Sequence, residues 1–208
     1  MQLLVGAVVA NGPRENSFRS AADALFRSAA VTYGSHVIGV VLTGMLHDGT
    51  AGLDFIKRCG GTAVVQNPAD AEFSSMPESA LRNVDIDYSV PLAEMRALLV
   101  QLTRHSSARH PQLAIPNDLQ AEAAIAERVV GTAEEIERIG QQVTLTCLDC
   151  GGSLWEMKSG NVLRYRCHTR HAFSAEALLE AGQAPLEETL WVAIRMMEER
   201  KNLLTSMA

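Results

Sequence analysis

Three cysteines and a histidine fall in one short stretch, Cys147-Leu148-Asp149-Cys150, then sixteen residues, then Cys167-His168-Thr169-Arg170-His171. Two ligand pairs, each on its own tight turn and joined by a strand-like insert with Trp155 and Tyr165, suit a tetrahedral structural Zn2+ ion. The predicted ligands are Cys147, Cys150, Cys167 and His171. A redox Cys-x-x-Cys is the competing reading, but it accounts for neither Cys167 nor His171. His168, directly after a ligand, is geometrically cramped and is expected to face solvent. Cys59 stands apart before Gly60-Gly61 and reads as a small buried hydrophobe. A grouping of three plus one is no disulfide framework, so a reducing compartment is expected.

The other residue placed for chemistry is Asp48. The run Val37-Ile38-Gly39-Val40-Val41-Leu42 has no polar alternation and reads as a strand covered on both faces, and ligands gather beyond the carboxyl ends of such strands. Asp48 lies in the loop that follows, Thr43-Gly44-Met45-Leu46-His47-Asp48-Gly49. Asp before Gly at the start of a helical segment is also what a cap or tight turn looks like, so both readings stand on these residues alone. His47 cannot serve as a base oriented by its own neighbour, because adjacent loop residues point apart; it is read as a solvated loop histidine. No serine sits in a G-x-S-x-G elbow, and Ser35, after Gly34, precedes a strand rather than a helix.

These residues need elements to hold them. Helices are predicted at Ala21 to Tyr33, Gly52 to Arg58, Pro77 to Arg82 and Ala93 to Leu102, with strands at Leu3 to Ala10, Val37 to Leu42, Thr62 to Gln66 and Ile86 to Val90. That alternation is α/β. The pattern dissolves into a linker over 104–118, which carries Pro111 and Pro116. An amphipathic helix over 119–140, a zinc-ribbon-like module over 141–174 and a C-terminal helical segment over 175–208 follow. The stripe Leu186, Leu190, Ile194, Met197, Lys201 and Leu204 is expected to pack on the 119–140 helix and cradle the ribbon. Arg164, Arg166 and Arg170 read as a solvated basic face.

Several segments of the first unit, residues 1–103, fall in one family's order and spacing: Gly12-Pro13-Arg14-Glu15-Asn16, Asp23-Ala24-Leu25-Phe26-Arg27-Ser28-Ala29-Ala30, Leu42-Thr43-Gly44-Met45 with Asp48-Gly49, Val64-Val65-Gln66-Asn67-Pro68, and Ser75-Met76-Pro77 with Ala80. The chain resembles the CheB-type protein-glutamate methylesterases of bacterial chemotaxis. The resemblance implies a partial doubly wound parallel sheet, the carboxyl-terminal half of a catalytic domain. It further implies hydrolysis of glutamyl methyl esters on chemoreceptors by a Ser-His-Asp triad, with Asp48 as the aspartate. The triad's serine and histidine precede this half in the family's chain order, so this chain alone is expected to be inactive. Family members with a comparable tail resemble the ribbon too, through Cys150-Gly151-Gly152, Leu154-Trp155, Arg166-Cys167, His171-Ala172-Phe173-Ser174 and Leu190-Trp191. Two departures stand out: Phe18 and Ser20 replace a histidine and a proline common near the first helix, and Arg170 replaces a glycine before the last ligand.

Composition bounds the partners. The 208 residues carry a formal net charge of −6, which argues against a general nucleic-acid binder. Leu3 to Ala10 lacks the positive region of a signal peptide and no stretch is long enough to span a bilayer, so a cytoplasmic location without membrane insertion is expected. The expected partners are a methylated chemoreceptor-type protein and a separately encoded N-terminal half, with self-association through the edge of the Val37 to Leu42 strand. The alternative function is a non-catalytic zinc-ribbon binding or regulatory protein. Metal loss is expected to loosen residues 143–174 and to spare the first unit.

Overall fold

The computed structural model describes residues 14–16, 21–105, 114–127, 132–157 and 160–207. The predicted strand at Leu3 to Ala10, the departures at Phe18 and Ser20, and the middle of the predicted linker lie outside these residues. Among the described residues, β1 (Ile38–Val41), β2 (Thr62–Gln66) and β3 (Tyr88–Val90) form a parallel sheet in the order β1-β2-β3, with Ile38 level with Thr62 and Val64 level with Tyr88. Helix α1 (Ala22–Tyr33) precedes them, α2 (Thr50–Arg58) and α3 (Ser75–Asn83) connect them, and α4 (Leu92–His105) follows. All are within a few residues of their predicted bounds.

Apolar positions on α2 and β2 explain why this unit holds. Leu53, Phe55 and Ile56 from α2 meet Ala63 and Val65 from β2, Val41 from β1, Ala30 from α1 and Ala80 from α3 in one buried cluster. Gly52 lets α1 and α2 cross closely, since a Cβ there would stand 2.5 Å from that of Phe26. The helix predicted over 119–140 is represented by α5 (Asn117–Glu127) and the short α6 (Ala133–Glu137), the latter opened by a capping box between Thr132 and Glu135. α5 packs beside α1 and sends Leu119 into the same core.

The second sheet is antiparallel, in the order β4 (Gly140–Thr146), β5 (Ser153–Met157), β6 (Arg164–Cys167), β7 (Ala172–Ser174). α7 (Ala175–Ala181) follows at once, its first turn capped by Ser174, whose Oγ accepts from the Ala177 amide. α8 (Gln183–Met207) then runs for 25 residues, and every one of residues 185–207 is exposed. The expected pairing of this helix with the 119–140 segment is therefore not formed. Periodicity shows that a face is sticky without showing what covers it, and for α5 the cover is α1.

The two units share backbone. Asn16 N–H donates to the Ala172 carbonyl at 2.7 Å, and Ala172 N–H donates to the Arg14 carbonyl at 3.2 Å, so residues 14–16 extend the ribbon sheet beside β7.

Candidate functional site

Asp48 sits where a strand-to-helix loop would place it, beyond β1 and before α2. Its carboxylate accepts the backbone N–H of Ala22 at 2.7 Å, of Asp23 at 3.1 Å and of Gly49 at 3.0 Å. The first two belong to the opening turn of α1, whose own N-cap, Ala21, supplies no side-chain acceptor. Asp48 thus caps a helix, but across space rather than along its own chain, because Gly49, at φ +89°, is the N-cap of α2. The preceding loop is stapled to the first turn of α3 and the segment before it: Gly44 N–H donates to the Phe73 carbonyl and Met76 N–H to the Gly44 carbonyl. Met45 stays exposed beside it.

His47 corrects a sequence expectation. It is buried, not solvated, at 7% exposure. Its Nδ1 lies 3.1 Å from Glu176 Oε2 and its Nε2 3.2 Å from Glu180 Oε1, so two carboxylates one turn apart on α7 bracket the ring. Glu176 also receives the Ser79 hydroxyl at 3.2 Å, and Ser79 receives that of Thr50 at 2.9 Å. α7 therefore closes on the Asp48 loop. The only mark of this contact in the sequence is the i, i+4 glutamate pair Glu176 and Glu180, whose target lies about 130 residues upstream.

Beside this contact the units bury a polar network. Arg27 of α1 donates to both oxygens of Glu15 through its two terminal guanidinium nitrogens, and Arg164 and Arg166 of β6 both donate to Glu122 Oε1 on α5. Arg164 stacks on Phe55 with its guanidinium carbon 4.7 Å from the ring centroid, and Arg27 lies 5.8 Å from the same centroid. The expected solvated basic face is instead an interior one, with Arg164, Arg166 and Arg170 at 5%, 1% and 2% exposure. Burial alone would raise the Glu122 carboxyl, but Arg164, Arg166 and Arg27 outweigh it and hold the group down at about 2. Glu15 is likewise opposed by burial and kept below the usual range by Arg27.

Asp23 behaves oppositely. It accepts Gly52 N–H at 2.7 Å and Asn16 Nδ2 at 2.9 Å, and Asn16 Oδ1 in turn accepts Ser174 N–H at 2.9 Å. Burial, then the neighbouring Asp48 charge, pushes its carboxyl up to about 7. Between about pH 4 and pH 7 the folded chain then keeps a proton that the unfolded chain has lost, so stability from this group falls as pH rises through that window. Asn at this position has no proton to lose. Relative to wild type, Asp23→Asn should therefore gain about 1 kcal/mol between pH 6 and pH 8, a range in which the zinc thiolates stay loaded, read by urea unfolding of both proteins across the series. A difference that stays constant with pH would remove the assignment.

The predicted metal ligands converge. Cys147 Sγ, Cys150 Sγ, Cys167 Sγ and His171 Nδ1 all lie within 4.8 Å of one another. Cys150 to Cys167 is 3.7 Å, and His171 Nδ1 is 3.5 Å from both Cys147 and Cys167. A tetrahedron with Zn–S bonds of about 2.3 Å has edges of roughly 3.8 Å, so the donor set fits the ion. Cys147 and Cys150 are held on one turn by Gly151 N–H to the Cys147 carbonyl, and Cys167 and His171 on another by Arg170 N–H to the Cys167 carbonyl. Arg170 does take the left-handed conformation a glycine would favour, at φ +75°, a cost of about 1 kcal/mol. Thr169, which the spacing rule gave no reason to notice, places its hydroxyl 3.1 Å from Cys150 Sγ and 3.0 Å from Cys167 Sγ. Such a group outside the ligand set fixes thiolate orientation. His168 is exposed, as expected, and Cys59 is fully buried.

Residues 1–99 match the CheB methylesterase family. A Leptospira interrogans protein provisionally named protein-glutamate methylesterase/protein-glutamine glutaminase is 41% identical over 95 residues, 46% of this chain and 49% of that protein. Protein-glutamate methylesterase/protein-glutamine glutaminase 3 of Burkholderia lata is 44% identical over 89 residues, 43% of this chain and 24% of that protein. The crystal structure of the Thermotoga maritima CheB methylesterase catalytic domain is similar at 34% identity and a TM-score of 0.41, over 42% of this chain and 46% of that one. The chain spans about half the length of these curated relatives, or less. Its first 99 residues are thus similar to part of a CheB-type methylesterase domain, and a cluster of three cysteines and one histidine able to hold a metal follows. No helix among the described residues is long and apolar enough to cross a membrane.

Proposed function

We propose that the α/β unit is the aspartate-bearing half of a protein-glutamate methylesterase domain, its three parallel strands forming one side of a doubly wound sheet, and that Zn2+ on Cys147, Cys150, Cys167 and His171 holds the ribbon against it. In this reading Asp48 orients a histidine base for a serine nucleophile, both supplied by residues outside this sequence, and the substrate is a glutamyl methyl ester of a chemoreceptor-type protein in the cytoplasm. The carrying observation is the loop beyond β1, which presents Asp48 at the opening of α1 within the region that matches the family. An aspartate alone offers no nucleophile: its part in such a triad is to fix the imidazole tautomer and stabilise its charged form. The zinc, closed by four protein ligands, would support the fold and take no part in the hydrolysis.

A second reading rests on the same carboxylate. Asp48 already accepts three backbone N–H groups and α7 closes on the adjacent His47, an arrangement that suits a non-catalytic binding or regulatory role in which the loop is purely structural.

Methanol release from a methylated receptor peptide separates the two. The chain alone should stay at background, and mixing it with the serine- and histidine-bearing half of a relative should give activity. In that mixture Asp48→Asn should cost on the order of 10⁴ in rate, because the amide favours the wrong tautomer, while His47→Ala leaves the rate near that of the parent mixture. A folded, tightly associated mixture with no hydrolysis favours the structural reading. Hydrolysis by the chain alone overturns both.

A further inference from the structure

α8 is a 25-residue helix, about 37 Å long, whose large apolar side chains face water. Leu186, Leu190, Ile194, Met197 and Leu204 are 62%, 55%, 48%, 72% and 58% exposed. They recur at spacings of three and four, the seam of a coiled coil, with Lys201 as the one charge in the stripe. A helix so exposed is marginal in water without a packing partner. Off the seam, Arg195 bonds Glu199 at 3.2 Å, the Trp191 indole N–H reaches Glu187, on the seam's flank, at 3.4 Å, and Val192, Met196 and Leu203 are exposed as well. Among the described residues nothing covers the seam.

We propose that the seam is covered by α8 of a second copy of this chain, running antiparallel. Charge chooses the direction. In a parallel pair each Lys201 would meet its own symmetry mate in the apolar stripe. In an antiparallel pair with its twofold axis between Ala193 and Ile194, Leu190 comes level with Met197 of the second copy. Lys201 then comes level with Leu186 of that copy and one residue from Glu187, on the same flank, and symmetry forms the Glu187–Lys201 pair twice. The body of the chain joins α8 at its N-terminal end, through α7, so antiparallel pairing sets the two bodies at opposite ends of the rod, clear of each other. Five seam side chains from each copy remove on the order of 1,000 Å² from water, the threshold for a specific interface. This pairing is independent of the esterase reading and leaves the Asp48 loop and the zinc cluster untouched.

Sedimentation equilibrium of the full zinc-loaded chain tests it. Wild type should sediment as a dimer at tens of micromolar, and Leu190→Asp/Met197→Asp as a monomer with its metal content unchanged; both positions are exposed in the single chain, so the body does not depend on them. Glu187→Lys alone and Lys201→Glu alone should each weaken the dimer about tenfold at low salt, and the two together should restore it to within about threefold. That restoration belongs to the antiparallel arrangement, since in a parallel pair a double swap replaces one set of like charges by another. A monomeric wild type, a dimer indifferent to Leu190→Asp/Met197→Asp, or a double swap no better than the single ones overturns the proposal.

Discussion

Chelating the metal should unfold more than the ribbon: the α/β unit should lose its packing in the same transition. The ribbon's own apolar cluster is small, Cys147, Leu154, Cys167 and Phe173 with Val143, Tyr165 and Leu178 against it, and a core of that size needs a staple. Structural zinc in small domains is worth on the order of 10 kcal/mol or more, well above what this cluster supplies. Cys167 directly follows Arg166 on β6, so loosening the ligand loosens the strand that neutralises Glu122. Glu122 is 2% exposed, and a carboxylate left buried without its partners is costly enough to open the α1–α5 face as well. The expectation of a ribbon that melts alone does not fit that shared interior. Hydrogen exchange with and without chelator is the measurement: amides of α1 and α5 should lose protection together with those of β4 to β6. Full protection in α1 and α5 after complete metal removal would mean the units are energetically separate.

Glu122→Ala should cost about 3–5 kcal/mol, because it leaves Arg164 and Arg166 in the interior with their shared acceptor gone. The comparison that gives this figure meaning lies on α8. Arg195 and Glu199 form an ion pair of similar length, 3.2 Å, but with 65% and 62% of their side chains exposed. Glu199→Ala should cost less than about 0.5 kcal/mol. Urea unfolding of both variants, zinc-loaded and at pH 7, provides the test. Equal losses would show that the buried network carries no special weight.

Much of the candidate site was legible because its chemistry dictates spacing. A zinc ion needs two short-range pairs on two turns, and Cys147, Cys150, Cys167 and His171 show that pattern in the chain itself. The alternation of the first unit was legible for a similar reason: each element has its own period and its own punctuation. What could not be read was which polar residue is interior. Arg164 and Arg166 alternate with Tyr165, so one face of β6 was marked as basic, but a basic face is solvated or buried according to what lies opposite. Glu122 lies 42 residues upstream of Arg164. Its position, one helical turn after Leu119 and next to Ala123 on the apolar side of α5, was the available clue. His47 failed in the same way. The cap at Asp48 was right in kind and wrong in object, because loop residues adjacent in sequence to one helix can face the start of another.

Asn16 joins amides and carboxylates that the ribosome delivers far apart. Its side chain bonds Asp23 seven residues on and the Ser174 amide 158 residues on. At synthesis rates of about 5–20 residues per second, roughly 10–30 s separate the appearance of Asn16 from that of its second partner. Throughout that interval the start of α1 holds Asp23 and the Glu15–Arg27 pair without the sheet that later shields them. The last steps of folding are thus long-range ones, and the nascent chain passes through a state with its α1–α2 surface open, the stage at which a holdase would find it.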